Sequence, residues 1–203
     1  MKTYHHGDLK NALIQAGIEI LSDEGVKGLS LRQVAKRAGV SHTAPYAHFA
    51  DKQALVAAIS TEGYRRLYAQ LSLLDQEYAS DPLGKLVEVA WSYIQFAVND
   101  PAHFKITFSG VIEKEKDYPS FIEISQQSFN FIIDMVADCQ AEGILRPGPT
   151  DLIAVHIWGA IHGLATLLIE DQLSSSVLKT YTIREMVIST LNVLTEIEID
   201  PAI

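Results

Sequence analysis

The chain is poor in cysteine, in positive charge and in sequence that resembles a targeting signal. Its 203 residues include one cysteine, Cys139, so no disulfide can form within the chain. The polar start MKTYHHGDLK lacks the apolar core of a secretory signal peptide. We therefore expect a cytoplasmic protein, and a hydrophobic content of 48% is enough for a sizeable core.

Motifs of hydrolytic and metal chemistry are also missing. There is no G-x-S-x-G motif, and the serine of FSGVIE stands apart from any recognisable base. The spacing of His103, His156 and His162 matches no familiar set of metal ligands, which favours satisfied core or interface histidines. The sequence therefore predicts no enzyme, no metal and no cofactor.

Positive charge is scarce overall but unevenly distributed. The formal net charge is −9, which by itself argues against binding to phosphates. Residues 1–66, however, hold nine Lys and Arg against six Asp and Glu, whereas residues 67–203 hold seven against 19. A weakly basic first part on an acidic body favours nucleic-acid binding by that first part. The alternative, an ordinary fluctuation of charge, stays open at this point.

Two helices are predicted at the start of the chain. In residues 8–24 the apolar positions have the spacing of one buried helical stripe, and Gly25 supplies a stop. In LSLRQVAKRAGVS, Ser30 can cap a second helix while Gln33 reaches back to the cap. Gly39 can then end this helix in the left-handed conformation, and Ser41 can cap a third. The pattern is helix, tight turn, helix.

Pro45 falls where the third helix should run. With Ser41 as the cap, Pro45 comes just after the first turn, whose N–H groups have no intrahelical partner, so at most one bond is lost. Alternatively, the cap moves to Thr43 or Ala44 and Pro45 lies in the first turn itself. Either case gives a short, rigid helix, which suits a recognition helix that reads base edges with its N-terminal end.

Residues 8–55, with LSLRQVAKRAGVSHTAPYAHFADKQAL at their centre, resemble the N-terminal domain of TetR-family transcriptional regulators. The shared features are the capped second helix, the AGVS turn, Tyr46, the HF pair and the DKQAL opening of a long helix. Pro45 replaces a usual leucine. The resemblance implies a three-helix helix-turn-helix DNA-binding domain, which we assign to residues 1–52. An effector-binding and dimerisation domain would then occupy residues 53–203.

Side-chain chemistry suggests roles for the residues around the third helix. Tyr46, His48 and Lys52 can contact phosphates, the last at the N-terminus of the following helix. Direct base readout looks modest, since Ala44 offers only contact with a thymine methyl. The predicted DNA-binding residues are Arg32, Ser41, His42, Thr43, Ala44, Tyr46, His48 and Lys52.

The rest of the chain also reads as helical. Helices are predicted at 52–78, 83–99, 102–108, 120–142, 151–172 and 183–196. With the first three, this gives an all-α protein of about nine helices.

The stretch Leu152–Ile169 has eighteen residues without a formal charge. It is at the lower length limit for a membrane span and has no Lys or Arg anchors, so we expect no membrane insertion. A helix that is apolar all round must be buried all round, which one chain of this size can hardly achieve. A second subunit is therefore expected, and the predicted interface comprises Trp158, Gly159, His162, Gly163, Val187, Leu191 and Leu194.

The WGAIHG run and the YHHGDL lead-in resemble one branch of the TetR family, which implies a dimeric four-helix bundle. The family resemblance also implies a small-molecule pocket among the middle helices, and our candidates are Trp91, Phe104, Phe108 and Phe129. The predicted function is a repressor that binds a palindromic double-stranded DNA operator as a homodimer and is released by a small apolar effector. The alternative is a DNA-binding structural protein without an effector.

Overall fold

The computed structural model describes residues 6–108, 110, 112 and 115–200, with side chains from residue 9 onward. Within these residues the chain is all-α, as predicted, with no strand. The YHHGDL lead-in, residues 4–9, falls largely outside them. The helices are α1 (His6–Gly28), α2 (Leu31–Arg37), α3 (Lys52–Glu77), α4 (Pro82–Asn99), α5 (Pro101–Thr107), α6 (Pro119–Ala141), α7 (Thr150–Ile169), α8 (Ser175–Thr180) and α9 (Ile183–Asn192).

Nine α-helices are present over the described residues, which equals the predicted number. One predicted helix is absent as an α-helix, however, and one observed helix was not predicted. The expected third helix is a short 3-10 turn, Ala44–Ala47, rather than an α-helix. The α-helix that makes up the number is α8, which the apolar pattern of the sequence did not indicate. Gly25, the predicted stop, has φ 66° and interrupts the first helix.

The chain divides into two compact units. The first comprises Met1–Arg66 and Asp100–Ser125, and the second comprises Leu67–Asn99 and Gln126–Ile203. Helices α3 and α6 each contribute residues to both. The first unit thus includes α5 in addition to the helix-turn-helix segment. The functional division at residue 52 remains a prediction.

The first unit has a continuous apolar core. The stripe predicted for α1 is buried, and α2, α3, α5 and the start of α6 add residues to it. Its members include Leu13, Ile20, Leu29, Val34, Phe49, Leu55, Ile59, Ile106 and Phe121. Because α1, α2 and α3 share this core, both ends of the segment between α2 and α3 are held in place.

Helices α3 and α5 approach each other closely within the first unit. The buried His103 lies with Nε2 3.0 Å from the carbonyl oxygen of Ile59. The hydroxyl of Ser60 donates to the carbonyl of Ile106 at 3.1 Å. Gly63 faces α5 so tightly that a Cβ there would lie 2.0 Å from Oγ1 of Thr107. Glycine is therefore needed at position 63 for this approach.

The second unit is built around α4, which packs against α7 and α9. The buried ammonium of Lys85 donates to Asp75 at 2.8 Å and to Asp138 at 3.5 Å. Burial works to lower the pKa of Lys85, but the two carboxylates outweigh it and raise the pKa. Buried charge needs such partners. The ion pairs thus connect α4 with parts of α3 and α6 in the same unit.

Candidate functional site

The helix α2 begins after Ser30 and ends before Gly39, as the sequence predicted. The hydroxyl of Ser30 accepts a hydrogen bond from the N–H of Gln33 at 3.2 Å and so caps its N-terminus. At the other end Gly39 has φ 70°, the left-handed conformation that glycine adopts at low cost. The N–H of Val40 then donates to the carbonyl of Ala35 at 3.0 Å. These bonds direct the chain into the tight turn.

The segment after this turn, which we call the recognition turn (residues 41–49), follows the second of the two predicted alternatives. Thr43 takes the N-cap position and Pro45 lies in the first turn. The hydroxyl of Ser41 does not cap the helix but lies 3.1 Å from that of Thr43. The N–H of His48 donates to the carbonyl of Pro45 at 2.9 Å. The proline thus produces one 3-10 turn where an α-helix was expected.

Side chains on the recognition turn divide into an anchored set and an exposed set. Pro45 and Phe49 are buried, which ties the turn to the core of the first unit. His42 and Thr43 are exposed, and Tyr46 is 61% exposed despite its large ring. A short turn anchored on one side and exposed on the other can present a few polar groups in a fixed direction.

His48 differs from this exposed set. It is half-buried, and its Nε2 atom is buried without a hydrogen-bond partner among the described residues. The ring packs beside that of Phe49, with 6.3 Å between the centroids. Nε2 therefore cannot reach a phosphate in this conformation, so the phosphate contact predicted for His48 would come from Nδ1 and stays a prediction.

The N-terminus of α3 combines a cation with a carboxylate. The ammonium of Lys52 donates to the carbonyl of Val26 at 3.0 Å, which leaves two of its three N–H groups for another acceptor. Oδ1 of Asp51 accepts from the N–H of Ala54 at 2.8 Å and so caps the helix. Sequence reasoning missed Asp51, although an aspartate immediately before a helical stripe is a cap signal. Its charge limits how closely a phosphate can approach the helix end.

Two arginines on α2 have different surroundings. The guanidinium of Arg37 lies near three carboxylates of α1. Its Nη1 is 2.9 Å from Oδ2 of Asp23 and 3.8 Å from Oε2 of Glu19, and its Nη2 is 3.5 Å from Oε1 of Glu24. The hydrogen bond with Asp23 raises the pKa of Arg37. Its charge is thus engaged by α1, whereas Arg32 is exposed on the same helix. Arg32 is therefore the better placed of the two to contact DNA.

The four predicted effector residues are divided between the two units. Phe104 and Phe108 belong to the first unit, where their ring centroids are 4.9 Å apart. Trp91 belongs to the second unit, and the guanidinium of Arg184 lies 5.5 Å from its ring centroid. Arg184 also pairs with Glu88, which holds the cation over the indole. Phe104 is buried in its own unit, so it reads as a core residue.

Phe129 belongs to a further cluster in the second unit, which we call the aromatic cluster (Tyr93, Phe129, Trp158 and His162). The rings of Phe129 and Trp158 are 5.9 Å apart between centroids. Nε1 of Trp158 donates to the hydroxyl of Tyr93 at 3.2 Å, and that hydroxyl lies 2.8 Å from Nδ1 of His162. Sequence reasoning missed Tyr93, because no local pattern connects residues 65 or more positions apart.

The hydroxyl of Tyr93 connects Trp158 with His162 in the aromatic cluster. An indole N–H can only donate, so the Tyr93 oxygen accepts from Trp158. In the bond with His162 the donor depends on the tautomer of the imidazole. Burial lowers the pKa of His162, which favours its neutral form.

Helix α7 leaves one apolar face uncovered in the single chain. Leu152, Val155 and Leu167 are 54%, 46% and 39% exposed, with Trp158 at the edge of the same stripe. Gly159 and Gly163 lie at its centre, and a Cβ on either would meet nothing within 4 Å. Sequence reasoning placed the two glycines in the interface but missed Leu152, Val155 and Leu167, which the helical spacing from Gly159 would have indicated.

The predicted contribution of α9 to that face needs correction. Val187 and Leu191 are both 0% exposed in one chain, because α9 packs its apolar stripe on its own α4 and α7. They are therefore core residues with no surface for a partner. Leu194 is half-buried.

By length and composition, α7 is the helix among the described residues that could cross a membrane.

Comparison with known protein families gives a match for the helix-turn-helix segment and another for the later helices. A family model for bacterial regulatory proteins of the tetR family matches residues 13–59. A second model, for the tetracyclin repressor-like C-terminal domain, matches residues 86–191, more than half of the chain. The branch suggested by WGAIHG stays a prediction.

Similar individual proteins include regulators and a structure of unknown function. The HTH-type transcriptional regulator YobS of Bacillus subtilis (strain 168) is 26% identical over 114 residues, which span 56% of this chain and 59% of YobS. The tetracycline repressor protein class C of Escherichia coli is 41% identical over 51 residues, 25% of this chain and 23% of the repressor. A protein of unknown function from Rhodococcus sp. RHA1 is 30% identical, with a TM-score of 0.77, over 97% of this chain and 100% of that one. The chain belongs to the TetR family of transcriptional regulators.

Proposed function

We propose that the protein is a dimeric repressor that binds a palindromic operator and leaves it when a small apolar effector binds. The observation that carries this proposal is the apolar face of α7, which one chain leaves exposed around Gly159 and Gly163. Two chains joined through that face carry two helix-turn-helix motifs. A two-fold dimer reads DNA with the same symmetry, one half-site for each motif.

Glycine at the centre of the α7 face supports association with a second copy. Small residues four positions apart let two helix backbones approach closely, and the flanking Leu152, Val155 and Leu167 then bury apolar surface. A large exposed apolar patch on a soluble protein marks an interaction site. Gly159, Gly163, Trp158, His162 and Leu194 remain in the proposed interface.

In the DNA complex we assign base reading to His42 and Thr43, which are exposed on the recognition turn. Tyr46 and Lys52 would contact phosphates, since both offer donors at the surface of the first unit. Arg32, Ser41 and Ala44 complete the proposed interface. With so few base contacts, phosphate contacts supply much of the affinity, and binding should weaken steeply with salt.

We place the effector at the aromatic cluster of the second unit. Ligand pockets are mostly apolar with a few well-placed polar groups. The cluster fits that description, with the rings of Phe129 and Trp158 beside the hydroxyl of Tyr93. Phe129 is the member of the predicted effector set that this proposal retains. Trp158 and His162 also lie on α7, so an effector here would act on the proposed dimer interface.

Release follows from linkage between effector and operator. A ligand shifts a conformational equilibrium only through its different affinity for the two states. The two motifs of a dimer must meet major grooves about 34–36 Å apart, so a shift of a few ångströms prevents both from binding. The coupling is typically about 1–3 kcal/mol, which weakens operator binding by about five- to 150-fold.

The test begins with a thermal-shift screen of metabolites, because a compound that binds the folded protein raises its melting temperature. Each compound found is then titrated by calorimetry with and without a selected operator duplex. We expect effector affinity to fall in the presence of operator by the same factor as operator affinity falls in the presence of effector. Equal effector affinity in both titrations would contradict the release mechanism. If no metabolite binds while operator binding persists, the alternative of a DNA-binding structural protein without effector is favoured.

A further inference from the structure

The segment 170–182 connects α7 to α9 and contains α8; we call it the α8 arm. Every residue of the arm is exposed except the half-buried Leu173, and α8 itself buries no residue. Three large apolar side chains are among those exposed, with Val177 at 36%, Leu178 at 47% and Tyr181 at 55%. An α-helix with no buried residue is unusual in a folded domain, since burial of an apolar face supplies most helical stability.

Local hydrogen bonds nevertheless define the conformation of the arm. The N–H of Gln172 donates to the carbonyl of Leu167 at 3.0 Å, and Asp171 has a left-handed φ of 51° at the end of α7. The hydroxyl of Ser174 accepts from the N–H of Val177, and Thr182 forms a capping box with Glu185 at the start of α9. An isolated helix of six residues is far below the about 12–15 residues needed for stability in water. Packing against a further surface would stabilise a helix of this length.

The dimer proposed above needs more area than α7 alone provides. A helix of 20 residues is about 30 Å long and about 10 Å wide, so one face presents about 300 Å². A stable interface buries about 800 Å² on each partner. The inner stripe of α9 cannot supply the difference, because Val187 and Leu191 are buried in their own chain. The arm follows directly on α7, and the bond from the N–H of Gln172 ties its start to Leu167, the last exposed apolar residue of the α7 stripe.

We propose that the α8 arm packs against the second copy of this chain and forms part of the dimer interface together with α7. The inference rests on the proposed function, because it requires the dimer. In a two-fold dimer each arm contact occurs twice, so a small change in one side chain affects two sites. Val177, Leu178 and Tyr181 are then covered by the partner rather than by solvent.

Analytical ultracentrifugation of full-length Leu178→Ser tests the proposal, with Leu73→Ser as the matched control. Leu73 is 60% exposed on α3 of the second unit, so the same change is made at a similar exposure outside the arm. We expect Leu178→Ser to raise the dimer dissociation constant by about tenfold or more, and Leu73→Ser to leave it within about twofold. Circular dichroism at matched concentration checks that both variants are folded.

A second experiment keeps an apolar side chain at position 178 and detects the contact directly, so it does not depend on weakening the dimer. Leu178 is replaced by the photoreactive p-benzoylphenylalanine, with the same replacement at Leu73 as control. We expect a covalent dimer after irradiation from position 178 and none from position 73. If the unmodified protein is a dimer but neither experiment distinguishes the two positions, the arm inference is wrong while the proposed function stands. If the unmodified protein is monomeric at micromolar concentration, the dimer proposal and the arm inference both fail.

Discussion

Lys52 shows how one residue can serve both the fold and the proposed DNA contact. One of its N–H groups holds the carbonyl of Val26, and the other two are available for a phosphate. We expect Lys52→Ala to weaken binding to all duplex sequences alike and to flatten the salt dependence by about one unit in the log–log slope. Fluorescence anisotropy over a range of salt concentrations measures both effects.

Lys116→Ala is the control for this prediction, because it removes the same charge from another exposed lysine of the first unit. The slope should stay unchanged there. A loss confined to the selected operator in Lys52→Ala would show that Lys52 reads bases instead of phosphates.

His162 should make the stability of the second unit depend on pH. Its folded-state pKa lies below the ordinary value of 6.5 because burial disfavours the charged form. The unfolded chain therefore binds the proton more readily, and the free energy of unfolding is highest above pH 6.5 and falls as the pH drops through the folded-state pKa. Chemical denaturation between pH 7.5 and 5 should show a smaller decrease for His162→Gln than for the unmodified protein. Parallel decreases would show that His162 does not contribute.

At the scale of elements, α7 offers a variant that separates folding from association. A Cβ on Gly159 meets nothing within 4 Å in one chain, so Gly159→Leu should leave each chain folded. The same side chain would hold two α7 helices apart, and we expect the dimer dissociation constant to rise at least about tenfold. Sedimentation of Gly159→Leu beside Ala141→Leu, which adds the same side chain at the exposed end of α6, makes the comparison. Equal dimerisation of the two would exclude Gly159 from the interface.

The contact between α3 and α5 predicts the opposite behaviour for another glycine. A Cβ at Gly63 would lie 2.0 Å from Oγ1 of Thr107, so Gly63→Ala should destabilise the protein by about 1–3 kcal/mol. Thr107→Ala removes that hydroxyl and should restore part of the loss in the double variant. A double-mutant cycle from denaturation curves measures the interaction. Strictly additive single effects would mean that the two residues do not meet.

The sequence predicted the helices well where local signals act alone. The cap at Ser30 and the left-handed Gly39 followed from residue types within a few positions. The recognition turn was harder, since Pro45 is compatible with two caps and only the core contacts of Phe49 and Pro45 select one. Helix α8 was missed because its six residues are too few to show a periodic apolar stripe.

The candidate sites were only partly predictable for a different reason. The stripe of Val187 and Leu191 correctly indicates burial, but periodicity does not say whether the covering surface belongs to the same chain or to another. The aromatic cluster joins Tyr93 on α4 with Trp158 and His162 on α7. Long-range contacts of this kind depend on how helices pack, and the sequence of one chain does not display them.

At the scale of the whole molecule, one chain carries two uncovered surfaces. The recognition turn exposes His42, Thr43 and Tyr46 in the first unit, and the apolar face of α7 is exposed in the second. One surface suits the polar edges and phosphates of DNA, and the other suits a copy of itself. The proposed function therefore predicts two chains per operator, with one half-site for each.

Binding to a full and to a half operator tests whether two chains occupy one operator. A duplex selected from a random library is titrated in its palindromic form and with one half-site scrambled, at equal length and salt, and the mass of each complex is measured by sedimentation. We predict two chains on the palindrome, and at least about tenfold weaker binding when one half-site is scrambled. One chain per duplex, with equal affinity for both forms, would contradict the account.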